Sequence, residues 1–185
     1  MRTVEKTEYF YEFLPRFVTD LPEPENEQRL LPVIERRVER DGILFDFIIL
    51  PASVLIDGNR NEYFYPGATE ERVEKALRIL AVSENPNFSN QEKTLNFSTK
   101  QLITIFMQDS WKDVLNKDQI DLSLNILCNT SYQIIRDERA MIFRPLSELT
   151  TKEKDDEIYY KVRISPVFFN SVQILNLCFG TENLF

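Results

Sequence analysis

Two helix starts follow one another along the chain, at Ser98-Thr99-Lys100-Gln101 and at Asn116-Lys117-Asp118-Gln119. The first has the form S-x-x-Q, a capping box in which the two side chains satisfy backbone N–H groups of the first helical turn. Apolar residues follow both starts at helical spacing: Leu102, Ile103, Ile105 and Phe106, then Ile120, Leu124 and Leu127. The sequence therefore predicts two amphipathic helices, joined by a turn around residues 109–111.

A further amphipathic helix is predicted upstream of these two. We assign Thr69 as its N-cap, because Glu70 and Glu71 then lie in the first turn, where carboxylates are favourable. Its apolar stripe comprises Val73, Ala76, Leu77 and Leu80, and its exposed cations are Arg72, Lys75 and Arg78. A polar loop over residues 83–93 and a short strand over residues 94–97 connect it to the next helix.

Strand patterns follow the three helices. Residues 132–136 and 140–144 flank Asp137-Glu138-Arg139, which predicts a tight hairpin. Residues 150–156 predict a charged loop. Residues 158–164 then alternate between apolar and polar side chains, which predicts a half-buried strand with Tyr159, Lys161 and Arg163 outward.

The end of one helix and the start of another are predicted near these strands. Asn129 follows the last apolar residue of the third helix and is a candidate left-handed C-cap. Ser165-Pro166 has the form of an N-cap followed by proline at the first helical position, so a last helix is expected to about Leu177.

The residues before the first of these helices predict mixed structure. Residues 33–40, with Arg36, Arg37 and Arg40, predict a short helix that ends at Asp41-Gly42. The apolar run over residues 43–50 predicts a strand buried on both faces. Residues 57–61 form a predicted turn, and residues 62–65 a second strand.

An aromatic arm opens the chain. Its cluster, which predicts one short amphipathic helix, consists of Tyr9, Phe10, Tyr11, Phe13, Leu14 and Phe17. Pro22 and Pro24 then indicate an extended linker. Two interpretations stay open, an arm docked on its own domain and an arm exchanged with a partner chain.

Taken together, residues 69–164 predict helix, short strand, helix, turn, helix, hairpin and a further strand. This is the order of a winged helix, so the predicted fold is α+β, with a three-helix helix-turn-helix core, a β-wing and an N-terminal helical and β-hairpin extension. The expected organisation is an arm and linker over residues 1–30, the winged-helix domain over residues 31–175, and a tail over residues 176–185.

Composition restricts the class of function. Histidine is absent from the 185 residues, which excludes Ser-His-Asp and Cys-His relays and histidine metal sites. Cys128 and Cys178 form no CxxC pair, and the 4 glycines form no phosphate-binding loop. We therefore expect a non-enzymatic protein without catalytic residues, metal or cofactor.

Charge and hydropathy indicate the environment of the chain. Lys and Arg number 22 against 30 Asp and Glu, a net charge of −8, which disfavours a role in coating nucleic acid. No apolar run approaches the roughly 18 residues of a membrane span, and no signal peptide opens the chain. We expect a soluble cytoplasmic protein with no membrane partner.

Several stretches resemble the plasmid replication initiator (Rep) proteins of the theta type. They are Glu62-Tyr63-Phe64-Tyr65-Pro66-Gly67, the helix over residues 71–78, Phe97-Ser98-Thr99-Lys100-Gln101-Leu102, Leu124-Asn125-Ile126-Leu127 and Val162-Arg163-Ile164-Ser165-Pro166-Val167-Phe168. The resemblance extends over about residues 36–175. It implies the first of two winged-helix domains, binding to repeated origin sequences, dimerisation and recruitment of host replication proteins. A second domain would begin where this chain ends, which leaves two alternatives open: a fragment of such an initiator, with the second domain missing, or a one-domain relative.

The candidate DNA-binding residues lie at the starts of the second and third helices and on the predicted wing. They are Lys100, Lys117, Gln119, Arg136, Arg139, Arg144, Lys161 and Arg163. Asp118 and Asp121 oppose base reading by the third helix, because carboxylates repel phosphates. The hairpin arginines and the cations at 161 and 163 are expected to converge, since neighbouring strands lie about 5 Å apart. Tyr159 is exposed and available to stack on a base or a partner.

Two functions are consistent with these residues. One is a DNA-binding initiator domain that contacts origin duplex through the wing and the third helix and dimerises. The other is an acidic winged-helix module for dimerisation or protein interaction, with little DNA affinity of its own. The net charge of −8 and the acidic third helix favour the second, whereas the cations of the wing favour the first.

Overall fold

The structure, a computed structural model, describes residues 10–20, 32–40, 42–56, 58, 60–84, 93–108 and 115–168. Its helices are α1 (Phe10–Phe13), α2 (Ala68–Glu84), α3 (Thr99–Gln108) and α4 (Lys117–Asn129). The strands are β1 (Ile34–Arg40), β2 (Ile43–Leu50), β3 (Ala52–Ile56), β4 (Arg60–Phe64), β5 (Lys93–Ser98), β6 (Ser131–Arg136), β7 (Arg139–Phe143), β8 (Leu146–Lys154) and β9 (Glu157–Ile164). A 3₁₀ turn at Pro166–Phe168 follows β9. The described strand pairs are antiparallel, so the fold is α+β, as predicted.

Strand β1 corrects the helix predicted over residues 33–40. Its inward side chains alternate with exposed ones, and Val38 is buried between Arg36 and Arg40 on the inner face. Gly42, at φ 77°, allows the tight turn into β2, and seven residue pairs join the two strands. The arginines disguised this two-residue period, because they occupy positions where apolar residues are expected.

Strand β2 is buried on one face, not on both as predicted. Phe45, Phe47 and Ile49 point into the core and are at most 2% exposed. Leu44, on the opposite face, is 43% exposed. The core packs against one side of the sheet, and the Phe47 ring stacks on Tyr132 of β6 with 5.5 Å between ring centroids.

The predicted hairpin over residues 132–144 is confirmed as β6 and β7, but its place in the sheet was wrong. It completes a four-stranded sheet of order β1-β2-β6-β7, in which Ile49 pairs with Tyr132. The strand over residues 158–164 belongs to a separate three-stranded sheet of order β5-β9-β8. The arginines of the hairpin therefore lie on a different sheet from Lys161 and Arg163, and the expected convergence does not occur.

Residues 150–156, predicted as a charged loop, are mostly strand. Strand β8 extends to Lys154 and pairs with β9, with an irregularity between Ser147 and Thr150. Asp155 and Asp156 form the connecting turn, both at positive φ. The unbroken polar run concealed the strand, because charged side chains extend outward from both of its faces near the end of the hairpin.

The capping box predicted at Ser98 is present, and the helix start predicted at Asn116 also has one. In α3 the Ser98 N–H donates to Gln101 Oε1 (2.8 Å), and in α4 the Gln119 N–H donates to Asn116 Oδ1 (2.9 Å). Thr69, by contrast, lies inside α2 rather than at its N-cap, since the carboxylate of Glu70 accepts from the Gly67 N–H (2.7 Å).

The end of α4 also differs from the prediction. Asn129 is the last helical residue and does not adopt a left-handed conformation. Thr130 follows it with extended backbone, and both its N–H (2.9 Å) and its hydroxyl (2.8 Å) donate to the Ile126 carbonyl. A threonine hydroxyl thus satisfies a terminal carbonyl that the left-handed cap would have satisfied.

The described part of the arm docks on its own chain. Tyr11, Leu14 and Val18 are buried in the main core. Arg36 of β1 donates from Nη1 to the carbonyls of Pro15 (2.8 Å) and Phe17 (3.2 Å). The inward arginines of β1 therefore bind the arm, which explains their place on the core side of the sheet.

A buried ion pair joins the arm to α2. Arg16 pairs with Glu74, and the two side chains are 6% and 2% exposed. Glu74 also accepts from the Tyr11 hydroxyl (3.1 Å), and Arg78 Nε lies 3.6 Å from its other oxygen. Arg78 was predicted to be exposed, but its guanidinium packs over the rings of Tyr11 and Phe168.

Other predicted features can be placed briefly. Cys128 is buried, and burial raises its pKa to about 12. None of the described helices combines the length and apolar character that a bilayer crossing demands. The linker prolines, the turn at residues 109–111, the last helix beyond Phe168 and the tail lie outside the described residues, and the domain boundaries stay predictions.

We expect Arg16→Leu to lower the free energy of unfolding by about 3 kcal/mol, because it leaves the buried Glu74 carboxylate with a more distant cation. The double variant Arg16→Leu/Glu74→Leu should lose less than the sum of the single variants. Urea denaturation measures both. Arg60→Leu removes an exposed pair with Glu62 and serves as the control, with an expected change below about 1 kcal/mol. Additive losses in the double variant would contradict the coupling.

Candidate nucleic-acid interface

On the outer face of the three-stranded sheet, the polar side chains of neighbouring strands lie opposite one another. Tyr159 on the central strand β9 lies beside Lys152 of β8. Two residues further along β9, Lys161 lies between Asn96 of β5 and Thr150 of β8. Their inward neighbours Tyr160 and Val162 are buried, so the alternation predicted for this strand is confirmed.

On this face Arg163 has a carboxylate partner, whereas Lys152 and Lys161 have none among the described residues. Among the described residues, no carboxylate lies within ion-pair distance of Lys152 or Lys161. Arg163, in contrast, pairs through Nη2 with Glu148 Oε2 at 2.8 Å. Glu148 adopts φ 52° at the irregularity of β8, which brings its carboxylate to the arginine. The uncompensated positive charge of the face is therefore concentrated at the two lysines.

A groove of about 370 Å³ lies over the same face. Its lining residues are Asn96, Phe97, Gln101, Thr150, Thr151, Lys152, Tyr159, Tyr160 and Lys161. Tyr159 is 45% exposed within it, whereas burial raises the pKa of Tyr160 to about 12. The groove thus combines an accessible aromatic ring, two cations and amide and hydroxyl groups that act as hydrogen-bond donors and acceptors.

The ends of α3 and α4 meet the turn of the β8–β9 hairpin. Lys100 Nζ lies 2.8 Å from Glu157 Oε2, and Lys117 Nζ lies 2.7 Å from Glu153 Oε1. Each hydrogen bond raises the pKa of its lysine. The hydrogen bond from Lys100, together with one from Ser98, lowers the pKa of Glu157. Two of the predicted DNA-binding cations are thus neutralised by carboxylates of their own chain.

The predicted polar residue of α4 already has a structural role. The Oε1 atom of Gln119 accepts from the Asn116 N–H at 3.0 Å, which completes the capping box. Asp121, on the same helix, has its pKa raised by partial burial and by the charge of Asp118. The start of α4 is therefore acidic and internally bonded, which agrees with the sequence-based expectation that its carboxylates oppose base reading.

The remaining predicted cations lie at the β6–β7 hairpin. Arg136 and Arg139 face each other across its turn, and Arg136 Nε lies 3.6 Å from Asp137. Arg144 Nε donates to the Ser131 hydroxyl at 2.7 Å. Arg136 and Arg139 thus form a second pair of cations, at the turn of the β6–β7 hairpin, whereas Arg144 lies at the opposite end of that hairpin.

Sequence reasoning missed Lys152, Asn96 and Gln101 as groove residues. Lys152 was assigned to the loop over residues 150–156, because its neighbours Thr151 and Glu153 are also polar and exposed. Asn96 lies on the short strand that was predicted without an orientation, and Gln101 was assigned only to the capping box of its helix. Lys152 and Asn96 are found from the cross-strand register, which a single strand does not contain.

Within the described ranges, no three Asp, Glu or Cys side chains are grouped so that they could hold a metal ion. In the charged run at the turn of the β8–β9 hairpin, residues 153–156 are exposed and Glu157 is half-buried. This run includes the neutralising partners of Lys100 and Lys117.

Comparison with protein-family models gives no match, and comparison with curated proteins gives none either. Solved structures do match in fold. A crystal structure of RctB domains 2-3 has a TM-score of 0.51 at 16% identity and covers 74% of this chain and 52% of that chain. A crystal structure of selenomethionine derivatives of domains 2 and 3 of RctB has a TM-score of 0.53 at 16% identity, with coverages of 89% and 63%. The chain thus spans less than two thirds of either structure, and the likeness is one of fold.

We expect Lys100→Gln to raise the pKa of Glu157 toward its ordinary value of 4.5, because the hydrogen bond to the lysine is the largest cause of the lowering. In the unchanged protein this ion pair stabilises the hairpin above that pH and is lost as the pH falls through the lowered pKa. An NMR titration of the side-chain carboxyl measures the change. Lys75→Gln, on α2, is the control, and equal titration curves for both variants would contradict the assignment.

Proposed function

We propose that this chain is a non-enzymatic DNA-binding domain of a replication initiator, and that the outer face of its three-stranded sheet contacts the DNA backbone. The observation that carries the proposal is the pair of uncompensated lysines, Lys152 and Lys161, beside an exposed tyrosine above a groove. RctB, whose domains 2-3 share the fold, is a replication initiator protein, which supports the assignment to this class. The absence of histidine supports a role without catalysis.

A winged-helix arrangement is part of the proposal. The order α2, β5, α3, α4, β8 and β9 is that of three helices with a strand after the first and a closing hairpin, and α2 packs on α3 and α4. The hairpin of β6 and β7 is inserted between α4 and β8 and pairs with β2 instead. In this interpretation the β8–β9 hairpin is the wing, in place of the hairpin predicted from the sequence.

Phosphate contacts are the expected source of affinity. Lysine side chains on an exposed sheet face reach phosphate oxygens without a fixed geometry, so they give binding that depends strongly on salt and weakly on sequence. Lys100 and Lys117 contribute only when phosphates replace Glu157 and Glu153 as their partners. Sequence recognition at the origin, if it resides in this domain, then requires contacts beyond these lysines.

A specific observation favours the alternative, an acidic module for dimerisation or for binding host replication proteins. Where α3 and α4 meet the β8–β9 turn, the lysines Lys100, Lys117 and Lys154 lie among the carboxylates of Asp118, Glu153, Asp155, Asp156 and Glu157. This surface carries more negative than positive charge, and it is the surface that a winged helix would place against DNA. On this alternative the domain binds a basic protein surface and has little affinity for DNA.

We expect Lys152→Gln/Lys161→Gln to weaken binding to a 20-base-pair duplex and to reduce the slope of log K against log salt by roughly 0.9 for each phosphate that the protein no longer neutralises. Lys75→Gln, which removes an exposed lysine of α2, is the matched control and should leave the slope unchanged. Fluorescence anisotropy at two salt concentrations measures both quantities. Unchanged affinity in the double variant would reject the sheet face as the DNA surface.

A third variant tests whether DNA binds the groove or the turn of the β6–β7 hairpin. Arg136→Ala/Arg139→Ala removes the charges at the β6–β7 turn and leaves the groove intact, so we expect it to weaken duplex binding less than the lysine variant does. The opposite order would transfer the DNA surface to the four-stranded sheet. A wild-type protein that shows no salt-dependent DNA binding, together with a dimer in analytical ultracentrifugation, would instead favour the protein-interaction module.

A further inference from the structure

We infer that the groove on the three-stranded sheet binds unpaired bases of a single nucleic-acid strand, with Tyr159 as the surface on which a base stacks. The inference rests on the proposed function, since it uses the same sheet face, and it adds the form of nucleic acid that the face prefers.

Tyr159 has the two properties that base stacking requires, a rigidly supported backbone and an exposed ring. It is on the central strand, so that β5 and β8 support it from both sides, and 45% of it is exposed. In register with it are Lys152 on β8 and Ser98 on β5. The side chain is therefore held on a rigid sheet while its ring remains accessible to a planar ligand.

Two lysines lie beside this ring. Lys161 lies two residues from Tyr159 along β9, a separation of about 7 Å at the rise of an extended strand. Lys152 lies on the neighbouring strand β8, directly opposite Tyr159. A base stacked on the ring would thus have both lysines within reach of the phosphates next to it.

The groove supplies groups that can bond the edge of a base. Asn96 is in register with Lys161, and Gln101 lies at the start of α3, where its Oε1 atom already accepts from Ser98. Amide groups offer both donors and acceptors, as the edges of bases require. The volume of about 370 Å³ lies within the roughly 300–1,000 Å³ of pockets that hold small ligands, which is sufficient for a base.

A duplex can contact the lysines of this face, but it cannot stack its paired bases on Tyr159 as a single strand can. Its bases are stacked on one another, so the ring of Tyr159 cannot reach their faces unless a base leaves the helix. Duplex binding by this face would depend on the lysines, whereas single-strand binding would depend on both the lysines and the ring. This difference separates the inference from the proposed function in one set of measurements.

The test compares the affinity of the whole chain for three fluorescent probes: a 20-nucleotide deoxythymidine strand, a 20-nucleotide uridine strand and a 20-base-pair duplex. We expect Tyr159→Leu to weaken binding to the single strands about 10-fold, the typical effect of removing one stacking aromatic, and to change duplex binding less than about 2-fold. Tyr159→Phe, which keeps the ring, should retain single-strand affinity. Tyr63→Leu on β4 is the matched control for loss of a tyrosine, and thermal unfolding verifies that each variant is folded.

The two single strands distinguish the source of the bases. Tighter binding of deoxythymidine assigns the groove to DNA, tighter binding of uridine assigns it to RNA, and either result supports recognition of unpaired bases. Equal losses on duplex and single strands in Tyr159→Leu would overturn the inference, as would competition by polyglutamate as effective as that by the deoxythymidine strand. A loss in Lys152→Gln/Lys161→Gln with none in Tyr159→Leu would overturn the inference and leave the proposed function standing. No binding to any probe would reject both.

Discussion

Glu74 holds together parts of the chain that lie far apart in sequence. It is in the middle of α2 and 2% exposed, and its carboxylate receives Arg16 and the Tyr11 hydroxyl from the arm, with Arg78 alongside. One turn before it, the buried Glu70 accepts from the Gly67 N–H and from Ser123 of α4. A charge in the interior is tolerated only when it is paired and hydrogen-bonded, so the arm, α2 and α4 must be placed together for the core to close.

The parts of the fold that could be predicted from sequence are those decided within a few residues. The capping boxes at Ser98 and Asn116 follow from side chains three residues apart, and the apolar stripe of α2 follows from one helix alone. Strand β1 could not be predicted in this way. Its inward Arg36 is explained by the carbonyls of Pro15 and Phe17, and its inward Arg40 by the ring of Phe13, all of which belong to a different segment of the chain.

At the candidate site, too, contacts between segments far apart in sequence could not be predicted. Exposure of Tyr159 and Lys161 was predictable from alternation along β9, but their neighbours depend on which strands pair with β9. Lys117 looked available because its partner Glu153 is 36 residues away and was assigned to a loop. Cations that the sequence marks as available for DNA can thus be neutralised in the structure. On the three-stranded sheet the uncompensated charge lies on Lys161, one of several predicted cations, and on Lys152, which was missed.

The pairing of β6 with β2 limits how far the chain can be shortened from its N-terminus. The hydrogen-bond ladder of β2 runs directly onto β6, so the residues before α2 and those after α4 share one sheet. A shortened polypeptide that began at α2 would retain all three longer helices but would present the bare N–H and C=O groups of β6 to solvent. Such an unprotected edge pairs readily with other chains, so this trimmed form is expected to aggregate, and the smallest soluble unit must include β1 and β2.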